Sequence, residues 1–220
     1  MKKLFLVAFA LCSLTSLKAQ SDSSYLEVGV NAIRLVNIGL VDRDLNTDVW
    51  NPYMLTASYG MKRFNLRFGL GYESIFRQEL PTNANGLTTT DTTSKHVDIR
   101  FGAGWEIGLG EKWSVKVGAD FISSQRFTGF EAKFTNEVGE LVENIHEFTY
   151  DEKGISPFIY VQHYITKKVS VGTEILWRMS GYTLTDSDKS NLNSAQIIKE
   201  YEGTKRILQA PTALFVNVRF

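Results

Sequence analysis

Charged side chains recur at every second position within several apolar runs of this chain. Between 96 and 109, for example, Asp98, Arg100 and Glu106 alternate with aliphatic and aromatic residues. A two-residue period puts the charges on one face of a β-strand and the apolar groups on the other. Acids and bases on one shared face form either a path for ions or a network of buried ion pairs. The pattern favours the network, whose predicted members are Glu27, Arg67, Glu73, Asp98, Arg100, Glu106, Lys116, Asp120, Glu174, Arg178 and Arg219.

The histidines are the residues most suited to acid–base or metal chemistry. There are three, His96, His146 and His163, with neither an HExxH motif nor a Cys/His cluster. Ser94 lies two positions before His96, so the histidine could act as a base and the serine as a nucleophile. The pattern instead favours His96 as a polar residue at the rim of a sheet. The sequence therefore predicts no catalytic residue, no metal site and no cofactor, and the chain is not expected to be an enzyme.

An acidic connection at 128–154 is the strongest candidate for contact with other molecules. It carries Glu137, Glu140 and Glu143 close to a turn predicted at Asn136 and Gly139. Alternating aromatic residues on either side predict a hairpin that projects from the rest of the sheet. Its edge would suit a docking partner or ligand, or weak divalent-ion binding through carboxylates. The alternative is a solvated loop with no binding role.

The first residues have the pattern of an export signal. Lys2 and Lys3 precede an apolar run of about 14 residues, too short to cross about 30 Å of hydrocarbon as a helix. A small-residue cleavage site follows Ala19. We therefore predict a cleaved signal peptide at 1–19 and one domain at 20–220. Cys12, the only cysteine, lies in the signal, so no disulfide framework is expected.

The charge balance excludes a common class of partner. Removing Lys2, Lys3 and Lys18 with the signal leaves 21 basic residues against 24 acidic ones. A mildly acidic domain lacks the basic surface that nucleic-acid binding requires. No nucleic-acid partner is expected.

Eight strand-like runs follow the signal, and the connections between them alternate long and short. The runs cover 25–36, 53–61, 64–76, 96–109, 113–127, 155–165, 169–179 and 213–220. The rhythm predicts an all-β fold, an eight-stranded antiparallel transmembrane β-barrel with four long outer loops and three short periplasmic turns. A soluble sandwich or lipocalin-like barrel would share the strand spacing but not this alternation. The sixth run is apolar on both faces, so its orientation stays open, and a short helix is expected at 194–201 within the last long connection.

The last run, ALFVNVRF at 213–220, alternates in the same way. Its apolar face holds Leu214, Val216, Val218 and Phe220. This run resembles the terminal signature that the barrel-assembly machinery recognises in outer-membrane proteins. With the signal peptide and the strand rhythm, the chain resembles the small Gram-negative outer membrane protein beta-barrel domain (OmpA/OmpX-type, porin-like) family.

That resemblance implies a cell outer membrane location, contact with outer-membrane lipid and lipopolysaccharide, and the assembly machinery as a partner during biogenesis. The expected role is a non-enzymatic scaffold whose outer loops contact partners or ligands. Three alternatives stay open. They are a narrow porin-like channel, an accessory subunit that binds another outer-membrane protein in a secretion or uptake complex, and a lipid-modifying enzyme.

Overall fold

The computed structural model describes residues 24–36, 51–79, 89–135, 138, 140–191 and 193–220. The predicted signal peptide lies outside these residues, as do Asn136, Glu137 and Gly139 at the predicted turn. The described strands are β1 (Ser24–Asn31), β2 (Leu55–Met61), β3 (Phe64–Glu79), β4 (Thr89–Leu109), β5 (Trp113–Thr135), β6 (Leu141–Tyr164), β7 (Val169–Ser190), β8 (Asn193–Gln209) and β9 (Phe215–Arg219). One short helix, α1 (Ala32–Val36), follows β1. No helix among the described residues is long and apolar enough to cross a membrane.

The strands form one antiparallel sheet that closes into a ring. Its order is β6-β5-β4-β3-β2-β1-β9-β7-β8, and a further pairing of β6 with β7 completes the closure. Strand β7 pairs with β9 through Val169–Gly172 and with β8 from Leu176 to Ser190. Strands β8 and β9 therefore lie beside successive parts of β7. The described residues contain nine strands where the sequence predicted eight, because much of the expected connection at 180–209 is itself strand.

Three tight turns join neighbouring strands at one end of the ring. They lie between β2 and β3, between β4 and β5, and between β6 and β7, where short connections were predicted. Two of these turns need a left-handed backbone. Lys62 has a φ of 56° and Gly110 a φ of 78°, and such values are typical of tight hairpins.

At the opposite end the strands continue well beyond the predicted runs. Strand β5 reaches Thr135 and β6 begins at Leu141, so the segment at 128–154 is largely a paired hairpin. The predicted helix at 194–201 was wrong, since this segment lies in β8 and Tyr201 pairs with Leu184 of β7. A helix that short is marginal on its own, whereas pairing with β7 satisfies the backbone groups along one edge of β8.

The two faces of the ring have opposite polarity. On β4 the Asp98 and Arg100 side chains point inward, and these residues are 1% and 2% exposed. Phe101 and Trp105 on the outer face of the same strand are 57% and 52% exposed. The orientation of the sixth predicted run, left open from the sequence, is also fixed. Phe158 and Tyr160 of β6 are buried inside, and Ile159 is exposed outside.

A small apolar cluster shares the interior with the charges. Its members are Tyr53, Ile122, Phe158, Tyr160, Leu176, Ala213 and Phe215. Tyr53 comes from the segment that precedes β2, which passes so close to β3 that a Cβ at Gly71 would overlap the Pro52 carbonyl. The interior is therefore packed by side chains from the strands and from this crossing segment.

Candidate functional site

Four charged side chains meet at the centre of the ring. Arg67 of β3 donates from Nη2 to Asp120 Oδ2 at 2.6 Å and to Glu174 Oε2 at 2.9 Å. Arg100 of β4 donates from Nη1 to Glu174 Oε1 at 2.5 Å. Phe158 lies under the Arg67 guanidinium, 3.5 Å from Cζ to the ring centroid. Two arginines and two carboxylates thus balance in charge and connect β3, β4, β5 and β7 across the interior.

A second group lies nearer the tight turns. Lys116 Nζ contacts Glu27 Oε1 at 2.8 Å, and Arg219 Nη2 contacts Glu27 Oε2 at 3.3 Å. Arg219 also approaches Glu106 at 3.5 Å. The Tyr25 hydroxyl donates a hydrogen bond to the Glu106 carboxylate. These contacts tie β1, β4, β5 and β9 together below the central four.

A third group lies towards the opposite end of the interior. Arg178 Nη2 donates to Glu152 Oε1 at 3.0 Å, and the Ser180 hydroxyl donates to the same oxygen at 2.7 Å. Above it, His96 Nε2 lies 2.9 Å from Asp98 Oδ2 and 3.1 Å from Ser124 Oγ. Both contacts use one ring nitrogen. A Ser-His-Asp relay needs the serine and the acid on opposite nitrogens, so the arrangement is an ordinary polar cluster.

The interior has little free space. The described residues form a partly open pocket of about 30 Å³, lined by Glu27, Asn65, Arg67, Arg100, Lys116, Tyr160 and neighbours. That volume suits one or two water molecules. Asn65, fully buried at this pocket, has no hydrogen-bond partner for either side-chain atom among the described residues. This pocket lies directly beside the charged groups of the interior.

The structure places all eleven charges of the predicted network on the inner face, ten of them in ion pairs with a group of opposite charge and Asp98 beside His96. Eight of them are fully buried, while Glu73, Glu106 and Arg219 are partly exposed. Glu73 pairs with Arg34 at 3.0 Å. Sequence reasoning missed Arg34 and Glu152, both buried partners in this network. Arg34 follows the end of β1, and Glu152 falls in a segment predicted as a loop, so strand alternation did not include either.

Of the predicted loop glutamates, Glu143 lies in β6 and contacts Lys133 of β5. Lys133 Nζ contacts Glu131 at 2.5 Å and Glu143 at 3.2 Å. These hydrogen bonds lower the pKa of the Glu131 carboxyl and raise the pKa of the Lys133 ammonium. Glu140 is exposed near the β5–β6 connection. Glu137 lies outside the described residues.

The closing strand alternates as its sequence suggests. Leu214, Val216 and Val218 are exposed on the outer face, and Phe220 is half-buried. Phe215 and Asn217 point inward and are buried. Phe220 N donates to Leu26 O at 2.8 Å, so the strand end is held to β1 by its backbone.

Comparison with known proteins gives one structural neighbour. No protein-family model matches the chain, and no curated protein matches it. The chain is similar to a solved structure of a major outer membrane protein from Thermus thermophilus, with 10% identity and a TM-score of 0.40. The match covers 90% of this chain and 98% of the other.

Proposed function

We propose that the chain is an outer-membrane β-barrel of a Gram-negative cell, a non-enzymatic scaffold that displays its outer end to ligands or partners. The observation that carries the proposal is the inverted polarity of the ring. The outer face exposes large apolar side chains from most strands, among them Met61, Phe68, Tyr72, Ile99, Phe101, Trp105, Trp113, Phe121, Ile159, Trp177 and Val216. In water such a surface is costly and prone to aggregation, whereas in lipid it is the expected surface of a closed barrel.

The height of the apolar surface fits a bilayer. On β4 the outward apolar residues run from Val97 to Leu109, which is about 40 Å along a strand. A strand tilt of about 40° reduces this to about 30 Å, close to the apolar band of transmembrane barrels. Trp113 near one end and Tyr72 near the other are both exposed, and such aromatic residues favour the two interfaces. In this arrangement the tight turns face the periplasm.

A filled interior favours a scaffold over a channel. Eight strands form a closed circuit of neighbouring pairs, because β1 to β7 pair in order and β9 pairs with both β7 and β1. Side chains fill barrels of that size. The three charge groups cross the interior, and the pocket of about 30 Å³ beside them has room for one or two water molecules. In this proposal the interior gives rigidity, and specificity lies at the outer end.

The outer end would be a sheet standing above the lipid. Strands β5 to β8 extend about ten residues past the apolar band, and their exposed faces are mostly polar. This wall would contact lipopolysaccharide and any docking partner, and the barrel-assembly machinery would insert the protein. Strand β8 pairs with β7 along one edge, so its other edge suits an added strand from a partner.

Two matched substitutions on β4 test the membrane placement. Phe101→Arg puts a charge in the centre of the proposed band, at a cost of about 2–4 kcal/mol. Thr93→Arg makes the same kind of change on the same face of the strand, above the band. We expect wild type and Thr93→Arg to fractionate with the outer membrane and to change gel mobility when boiled in SDS. Phe101→Arg is expected to assemble poorly. Soluble wild-type protein without a mobility change, or equal assembly of the two variants, would contradict the proposal.

A further inference from the structure

Three potential metal ligands meet on the inner face of the wall above the buried network. His146 of β6 is the register partner of Asp188 on β7, and Asp186 lies two residues away on the same face. The imidazole Nε2 is 3.3 Å from Asp186 Oδ1, and Nδ1 contacts Asp188 Oδ1. One ligand atom from each of the three residues lies within 4.8 Å of the others. Two adjacent strands therefore bring an imidazole and two carboxylates together, with Asp186 beside Nε2 and Asp188 beside Nδ1 of the ring.

Aromatic rings hold the imidazole in place. The His146 ring centroid is 4.2 Å from that of Phe148 and 6.4 Å from that of Phe130. These two phenylalanines also contact each other edge-on, with centroids 6.3 Å apart. The side chains of His146, Asp186 and Asp188 are 33%, 22% and 51% exposed, so solvent and ions can reach the cluster. Ligands that are positioned by packing lose little freedom when an ion binds.

We propose that His146, Asp186 and Asp188 form a binding site for a divalent transition metal ion of the Zn²⁺ class. Imidazole favours such ions, whereas Ca²⁺ and Mg²⁺ are bound by oxygen ligands. Three protein ligands are fewer than the four of a closed structural zinc site, which leaves coordination positions for water or an external ligand. Because Asp186 and Asp188 contact different ring nitrogens, the ion would bind one of these nitrogens, and the carboxylate beside the other would turn towards it to reach the Zn²⁺–oxygen distance of about 2.0–2.2 Å.

The ion would join β6 to β7 where the wall projects beyond the membrane. This site is separate from the loop glutamates Glu137, Glu140 and Glu143, which the sequence suggested for weak divalent-ion binding. Glu143 forms an ion pair with Lys133. The proposed site also holds independently of the membrane placement, since its geometry involves only the paired strands.

The test is Zn²⁺ titration of the chelator-treated, detergent-folded protein by calorimetry at neutral pH. We expect one Zn²⁺ per chain in wild type, and at least tenfold weaker binding in His146→Gln and in Asp188→Asn. His163→Gln is the matched control, because His163 packs against Trp113 near the tight turns, far along β6 from the cluster. It should bind as wild type does.

The heat-dependent gel shift of each variant verifies that it is folded before titration. If the histidine variant does not fold, Asp188→Asn provides the comparison. Absence of saturable Zn²⁺ binding in wild type would overturn the site. Wild-type affinity in folded His146→Gln, or equal loss in His163→Gln, would overturn it as well.

Discussion

Arg67 and Glu174 lie 107 positions apart in the sequence and meet at 2.9 Å inside the ring. The Glu174 carboxylate is fully buried and also accepts from Arg100. Buried ion pairs add little net stability when complete, because desolvation offsets the attraction. Removing one partner is different, since the remaining charge stays buried without compensation. These four charged side chains therefore favour the arrangement in which β3, β4, β5 and β7 surround them, and they fill the centre of the interior.

Glu174→Ala should destabilise the folded protein severely. The change leaves two arginines facing one carboxylate, Asp120, at a cost of about 3–5 kcal/mol. Denaturant unfolding in a detergent or bilayer system measures this free energy. Glu111→Ala, at an exposed position in a tight turn, is the control and should change little. Equal stability of the two variants would show that the central group is dispensable.

The wild-type protein should give no steady conductance in planar bilayers. Three layers of paired side chains span the interior, and the described pocket holds only one or two waters. Detergent without protein supplies the baseline for the recordings. Reproducible, persistent current steps at neutral pH would favour the narrow channel and argue against a closed scaffold.

Phe220→Ala should lower the amount of assembled barrel without reducing export. The half-buried ring ends the outer apolar face of β9, whose pairing with β1 and β7 contributes to ring closure. The readout is the ratio of the folded to the unfolded gel band in purified outer membranes. Phe130→Ala, at the projecting wall, serves for comparison and should assemble normally. A normal ratio for Phe220→Ala would remove the proposed assembly role.

Lys133→Met should raise the pKa of Glu131 towards its usual value of about 4.3. In the intact protein the hydrogen bond from Lys133 holds that pKa below its ordinary range. A depressed carboxyl pKa stabilises the fold above the unfolded-state pKa, and the contribution disappears as pH falls through the folded-state pKa. The pair is exposed, so the effect should be small and should weaken with salt. An NMR titration of Glu131 that is unchanged by the substitution would contradict this contact.

The period-two pattern was sufficient to predict the two faces of the strands. Alternation of charge and apolar residues placed Asp98, Arg100 and Glu174 on the inside, because strand geometry allows no other arrangement once the register is set. The sixth run was ambiguous for a physical reason. Phe158 is apolar yet inward, and it fits because it packs over Gly104 and Gly118, where a Cβ would meet its ring.

The outer extensions could not be predicted from hydrophobicity. Above the apolar band β7 is mostly polar, and β8 has no period-two apolar face in its sequence, so both resemble a loop although their backbones pair. The helix predicted at 194–201 rested on the spacing of Ile197, Ile198 and Tyr201, and it failed because this segment pairs with β7 as a strand. Pairs such as His146 and Asp188 are 42 positions apart, and only the register of β6 with β7 brings them together.

The most direct test of the barrel account uses single spin labels in reconstituted protein. Cys12 is the only native cysteine, so Phe101→Cys and Thr93→Cys can each be labelled in a Cys12→Ser background. Both positions face outward on β4, and only the first lies within the proposed apolar band. The account predicts that the label at 101 collides with lipid-soluble oxygen and not with a water-soluble nickel complex, and that the label at 93 shows the reverse. Equal access of the nickel complex to both labels would place this surface in water and contradict the central claim.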